Sequence, residues 1–172
     1  AGLGGRVAVS HAYALGAVDD GDFERSAELL ARVGVAIMTN APGTGPMPPV
    51  LRLRDAGVTV FAGSDNIRDA WWPYGDGDML DRANVIGYRQ GFFTNDDLAH
   101  AFNMATVLPA GVLHRTGYGL AVGDAADLVL LRSKGVAEAV LDRPRSRTVL
   151  KNGRIVAVDG ALRDPTSSGE AR

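Results

Sequence analysis

Cysteine is absent from the 172 residues, which excludes a disulfide framework and any thiolate-bound metal. The same absence excludes the zinc site of the small nucleoside deaminases, which needs cysteine ligands. No apolar run reaches the roughly 20 residues of a membrane span. The opening AGLGGRVAVSH has no signal-peptide pattern. Charge of one sign is nowhere concentrated: the net charge of −2 is spread along the chain. No basic stripe points to nucleic acid, and no like-charge block forms a tail. These exclusions leave a soluble, cytoplasmic protein with no nucleic-acid or membrane partner as the expectation.

What is present can build a core. Apolar residues make up 46% of the chain, enough for one domain, or for one and a piece of another. The sequence has no initiator methionine and enters a strand almost at once, which reads as the middle of a longer chain.

The pattern along the first hundred residues is strand, helix, strand, helix, strand, helix. Arg6 to Ser10 is a short β-rich run ending at His11. DDGDFERSAELLARVG follows, with Phe23, Ala27, Leu30 and Ala31 at helical spacing, Asp20 or Asp22 as cap and Gly34 as stop. Val35 to Met38 and Val58 to Ala62 read as buried strands, with the short helix PVLRLRDAG between them. DMLDRANVIGYRQG and TNDDLAHAFNMATVL predict two more helices, the second with Thr94 as N-cap and Asp97 three residues on. Buried strands alternating with amphipathic helices imply βαβ units and a parallel sheet. Near Tyr118 the pattern changes. Asp127 to Arg132, RTVLKNG and RIVAV read as strands, with Asn152-Gly153 as a tight hairpin. The stretch 161–172 is expected to be a disordered tail.

In parallel βα architectures, sites form where the loops converge at the C-terminal ends of strands. The polar residues at those ends are His11, then Thr39 and Asn40, then Asp65 and Asn66. Imidazole nitrogen and carboxylate oxygen both suit zinc or iron, so His11 and Asp65 could bind a metal or move a proton. The alternative, in which each residue caps a helix or closes a turn, stays open on spacing alone. His100 and His114 fall within or at the ends of helical patterns and read as surface or packing residues. Trp71 and Trp72 either cover the end of the sheet or stack on a flat ring. The strand ends at His11, Asn40 and Asp65 are expected on one rim, with residues such as Val7, Val9, Val35, Ile37 and Val60 lining the inner face and alternation turning some of them outward.

Three segments, VAVSHAYALG, FAGSDNIRDAWWPYGDGDML and NMATVLPAGVLHRTGYGLAVGDAADLVLL, together resemble the C-terminal half of a cytosine deaminase-like member of the amidohydrolase superfamily, with kinship to N-alkyl ammelide hydrolases. The likeness runs to about Ala157. It implies an α/β fold: the C-terminal portion, about strands six to eight, of a metal-dependent (β/α)8 TIM barrel over residues 1–115. Part of a small composite β-sandwich over 116–160 would follow. His11 matches the family's histidine at the end of strand six, and Asp65 its aspartate after strand eight. Trp71 matches the pocket aromatic, and Asn66 stands where a second aspartate is common. Asp65 is thereby implied as metal ligand and, with His11, as a catalytic residue, while Trp71, Asn66 and Asn40 are the candidate substrate contacts. In such enzymes His11 would hydrogen-bond the activated water, or in two-metal relatives ligate directly.

The implied cofactor is one divalent metal, zinc or iron, with a second possible. Its other ligands, a His-x-His on an early strand, a His on the fifth strand and a nearby Glu, are absent from this chain. The implied function is metal-assisted hydrolysis or deamination at a C–N bond of a small heterocycle, either cytosine or an N-substituted triazine. The implied partners are a companion N-terminal half or another copy of the chain in a homo-oligomer. The rival reading is a non-catalytic half-barrel with a structural or assembly role.

Overall fold

Helix α1 (Asp20–Val33) is capped upstream of both candidates: Asp19 is the N-cap, its side chain accepting from Asp22 N at 2.8 Å. Asp20 and Asp22 instead occupy the first turn, where their charge complements the helix N-terminus. Gly34 ends the helix at φ 68°. A side chain there would be strained, and its Cβ would lie 2.8 Å from the Gly5 nitrogen. The chain then enters a strand at once. The computed structural model describes residues 2–164.

Three parallel strands, β1 (Val7–Ser10), β2 (Val35–Thr39) and β3 (Val60–Ala62), lie side by side in that order. Val7 pairs with Val35, Ser10 with Met38 and Thr39 with Ala62. β3 is shorter than the sequence predicts. Val58 leaves the strand because its N–H caps the preceding helix α2 (Val50–Asp55), donating to Leu53 O at 2.9 Å.

The register corrects the expected inner face. Val7 aligns with Val35, Val9 with Ile37 and Ile37 with Val60, so all five residues lie on one face of the sheet. That face is the helix-covered one: Ile37 and Val60 are fully buried in a cluster with Phe23, Ala27, Val50 and Leu53. Val7 and Val9, at the sheet edge, remain 37% and 39% exposed. The opposite face carries Ala8, Ser10, Ala36, Met38 and Phe61. The β-branched side chains thus face the helices, and the opposite face mixes small residues with Met38 and Phe61. Fully burying a side chain such as Ile37 is worth about 1.5–3 kcal/mol.

Helix α3 (Met79–Gln90) follows a long loop and is capped by Asp78, which accepts from Leu80 N at 3.0 Å. Helix α4 (Asn95–Met104) opens with the capping box of Thr94 and Asp97. The helix expected to run on to Leu108 breaks instead, and α5 (Val107–Val112) starts anew. Pro109 explains the break, since a continuous helix would need its missing N–H to bond the carbonyl of Ala105.

The second half forms a four-stranded antiparallel sheet in the order β4 (Leu128–Leu131), β5 (Arg147–Lys151), β6 (Arg154–Val158) and β7 (Ala161–Leu162). Asn152 and Gly153 both take positive φ, 48° and 74°, as a two-residue hairpin turn requires. Two features depart from expectation. Helix α6 (Val136–Asp142) interrupts what reads as a run of strands, burying Val140 and Ala139 against the core. β7 falls within the stretch assigned to a disordered tail; residues 165–172 of that stretch lie outside the described residues. Arg147 ties the second sheet to α3, donating to Asp78 Oδ1 at 2.9 Å. Burial alone would raise the Asp78 carboxyl, yet the hydrogen bonds from Arg147 and Leu80 bring it below the ordinary range.

Candidate active site

Each of the three parallel strands ends in backbone that L-residues seldom adopt. His11 (φ 71°) and Ala12 (φ 47°) follow β1, Ala41 (φ 51°) follows Asn40 after β2, and Asp65 (φ 54°) follows β3. Such conformations cost on the order of 1–3 kcal/mol each and persist where surrounding contacts over-determine them. The ladder supplies some of those contacts: His11 N donates to Met38 O at 2.8 Å, and Gly63 N to Thr39 O at 3.1 Å. Thr39 is fully buried, and its hydroxyl accepts from Ala41 N at 3.2 Å. It therefore shapes the turn without facing the site.

The sharp turns bring the polar ends together. His11 Nε2 lies 3.8 Å from Asp65 Oδ2. Asn40 Nδ2 donates to the same Oδ2 at 2.9 Å. Tyr13, which opens a short 3-10 turn (Tyr13–Gly16), places its hydroxyl 2.9 Å from His11 Nδ1 and 3.3 Å from Asn40 Oδ1. Its ring leans on the imidazole, with centroids 4.9 Å apart. Burial, and then the Asp65 charge, push the Tyr13 phenol above its ordinary value, so the hydroxyl keeps its proton. Arg82, from α3, fixes the Asn40 backbone by donating to its carbonyl at 2.7 Å.

The loop after Asp65 is organised by a single carboxylate. Asp69 accepts from Asn66 Nδ2 at 2.6 Å, Trp71 N at 2.9 Å and Trp72 N at 3.0 Å. The Asn66 hydrogen bond is the main reason its acid lies below the ordinary range. Trp72 meets Tyr74 edge-on at 5.4 Å and covers Gly43, where a Cβ would sit 2.8 Å from the indole. Only glycine lets that ring lie so close to the loop. Trp71 stays 84% exposed at the cavity mouth.

These elements enclose a cavity of about 490 Å³, walled by His11, Asn40, Asp65, Trp71, Trp72 and Tyr74 among others. The size falls within the roughly 300–1,000 Å³ of small-ligand sites. A second cavity, of about 290 Å³, opens at the opposite end of the strands, with Gly5, Gly34 and Thr59 in its lining and no histidine or carboxylate.

The sequence-predicted residues thus divide. His11, Asn40 and Asp65 meet, and Trp71 and Asn66 border the same space, although Asn66 has its amide nitrogen engaged by Asp69. His100 and His114 stand outside the cavity lining. The His100 imidazole is pushed below its ordinary value, first by burial and then by Arg54. Trp72, paired with Trp71 in the sequence reading, lines the cavity as well, whereas Tyr13, Asp69, Tyr74 and Arg82 carry no sequence pattern that by itself points to a role. A Tyr two residues after a strand-end His, and an Asp three residues after an Asn, are the faint signals that existed.

His11 and Asp65 present nitrogen and oxygen donors to one point, a pairing suited to zinc or iron. Among the described residues no group of three or more His, Cys, Asp or Glu could hold a metal. The donors fit a divalent cation in kind, and two of them alone would make only part of a coordination shell.

The amidohydrolase family model matches residues 1–157. The chain is 37% identical over 162 residues to the N-isopropylammelide isopropyl amidohydrolase of Pseudomonas sp. (strain ADP), covering 94% of this chain and 40% of that protein. It superposes on the structure of N-isopropylammelide isopropylaminohydrolase from Burkholderia multivorans with a TM-score of 0.89 and 42% identity, over 94% of this chain and 41% of the other. The 5-methylcytosine deaminase of Klebsiella pneumoniae, bound to 5-fluorocytosine, gives a TM-score of 0.82 at 25% identity, over 95% of this chain and 43% of that one. The chain therefore spans about two fifths of the length of the relatives it matches.

Proposed function

The chain belongs to the amidohydrolase family, and from that premise we propose that it carries one side of the active site of a metal-dependent hydrolase that cleaves a C–N bond of a small nitrogen heterocycle. The observation that carries this reading is the meeting of His11, Asn40 and Asp65 on one rim, beside an aromatic-walled cavity. Higher identity to the ammelide hydrolases, 37% and 42%, than to 5-methylcytosine deaminase, 25%, favours an N-substituted aminotriazine over cytosine. Asn66 supports the same preference, because an amide cannot pair with a ring as a second carboxylate would.

A zinc or iron ion held by Asp65, with His11 beside it, would supply the acidity that makes water a nucleophile near neutral pH. Asp65 accepts a proton from the attacking water and delivers it to the departing nitrogen. The ring carbon gains an oxygen, and the amine leaves with a hydrogen. His11 Nε2 hydrogen-bonds the same water. Trp71 packs on the face of the heterocycle, while Asn66 Oδ1 and the second N–H of Asn40 reach its polar edge. In this reading β1–β3 are strands six to eight of the barrel, and the second sheet is part of a composite sandwich. Both β1 and β3 are edge strands, and an uncovered edge invites pairing. A companion N-terminal segment or another copy of the chain would cover them and complete the ligand set.

The test is an assay of the full-length protein with N-isopropylammelide and with cytosine, reading amine release. Isopropylamine should be released with the higher kcat/KM. Release from neither substrate would sink the reading, and faster ammonia release from cytosine would reverse the substrate preference.

A further inference from the structure

We propose that Asp69 is a positioning residue that sets which way the Asn66 amide faces. The cavity wall then presents a hydrogen-bond acceptor there and selects a ring edge that carries an N–H. The proposal deepens the functional reading above and rests on it. Asp69 itself stands outside the cavity lining, whereas Asn66, Trp71 and Trp72 belong to it. Both oxygens of its carboxylate are engaged by that loop. Oδ1 accepts from the backbone N–H groups of Trp71 and Trp72, at 2.9 and 3.0 Å. Oδ2 accepts from Asn66 Nδ2 at 2.6 Å. A carboxylate can only accept, so the Asn66 amide must turn its NH2 toward Asp69 and its Oδ1 the other way. The backbone holds the arrangement in register: Asp69 N donates to Trp72 O at 3.0 Å and Arg68 N to Tyr74 O at 3.1 Å.

Two bonds to consecutive backbone N–H groups are enough to close the turn. The third bond, to a side chain on the cavity wall, couples that turn to recognition. An Oδ1 acceptor pairs with a ring N–H, such as the lactam form of an oxygenated triazine or pyrimidine carries. Against a bare ring nitrogen it would set acceptor against acceptor. Asp69→Asn separates closure from recognition. The Trp71 and Trp72 N–H groups pin the new side-chain oxygen in the place of Oδ1, which leaves its NH2 facing Asn66. Two NH2 groups cannot pair, so the Asn66 amide turns over and offers its Nδ2 to the cavity. The turn survives, and only the polarity of the wall is inverted.

The test compares the full-length protein with Asp69→Asn, Asn66→Ala and the double variant. Two readouts are taken: amine release from N-isopropylammelide, and nitrogen–proton NMR of the Asn66 side-chain amide, assigned with Asn66→Ala. Asp69→Asn should raise KM about tenfold or more and leave kcat within about twofold. In the Asn66→Ala background the same substitution should change KM by less than about twofold. With no ligand present, the Asn66 NH2 signals should move in Asp69→Asn while the Trp71 and Trp72 backbone N–H signals stay. An unchanged KM overturns the proposal. So does a KM rise that persists without Asn66, or an Asn66 amide that does not move. Failure of the enzymatic reading is distinguishable, because it shows as no amine release from the unmodified protein, whereas the ligand-free NMR judges the Asp69 contact by itself.

Discussion

Asp65→Asn in the full-length protein is expected to abolish turnover while leaving the fold nearly untouched. The substitution keeps the shape of the side chain and removes its charge. Asparagine is among the few residues that accept the positive φ of 54° at this position. A side-chain oxygen also remains to receive the Asn40 N–H now bonded at 2.9 Å. What disappears is the proton acceptor and an anionic donor to the metal. Loss of the proton transfer alone is worth about 10²–10⁴-fold in rate, and weakened metal binding adds to it. Measured kcat should fall by at least that range with Tm within a few degrees of wild type. A variant with near-normal kcat would remove Asp65 from the chemistry.

His11→Asn is expected to have the next largest effect, a fall in kcat of about 10²-fold or more. Asparagine again tolerates the left-handed backbone, here at φ 71°, so the turn into Tyr13 should survive. The imidazole that faces Asp65 at 3.8 Å is lost, and with it the group that meets the water. Metal analysis of the same sample separates two site types. Retention of the full metal content means one ion held without His11, and loss of half means a pair of ions that His11 helps bind. Unchanged kcat would contradict a role for His11 at all.

The strand ends were legible because an apolar run that stops at a polar residue marks both the end of a parallel strand and the rim on which loops converge. His11, Asn40 and Asp65 were found that way, and the structure brings their side chains into contact. The face assignment failed for a physical reason. Alternation separates two sets of residues, yet it does not say which set the helices cover. Branching at Cβ does: Val7, Val9, Val35, Ile37 and Val60 face the helices, and the opposite set, Ala8, Ser10, Ala36, Met38 and Phe61, has no β-branched member. Helix α6 was hidden because its seven residues carry no side-chain N-cap bond and lie between strands. Tyr13 was missed because its approach to His11 depends on consecutive left-handed residues at His11 and Ala12, which no propensity favours outside glycine and asparagine. Asp69 was similarly silent, since a loop that folds around one carboxylate leaves no periodic trace.

The most direct test of the central claim is a crystal structure of the full-length protein with its metal and a non-hydrolysable heterocyclic analogue. The ring should lie in the cavity between Asp65 and the Trp71–Trp72 wall. Its reacting carbon should face the Asp65 carboxylate, and a metal ion should sit against Asp65 on the side of His11. A ring or a metal bound elsewhere, with His11 and Asp65 facing only solvent, would contradict the account.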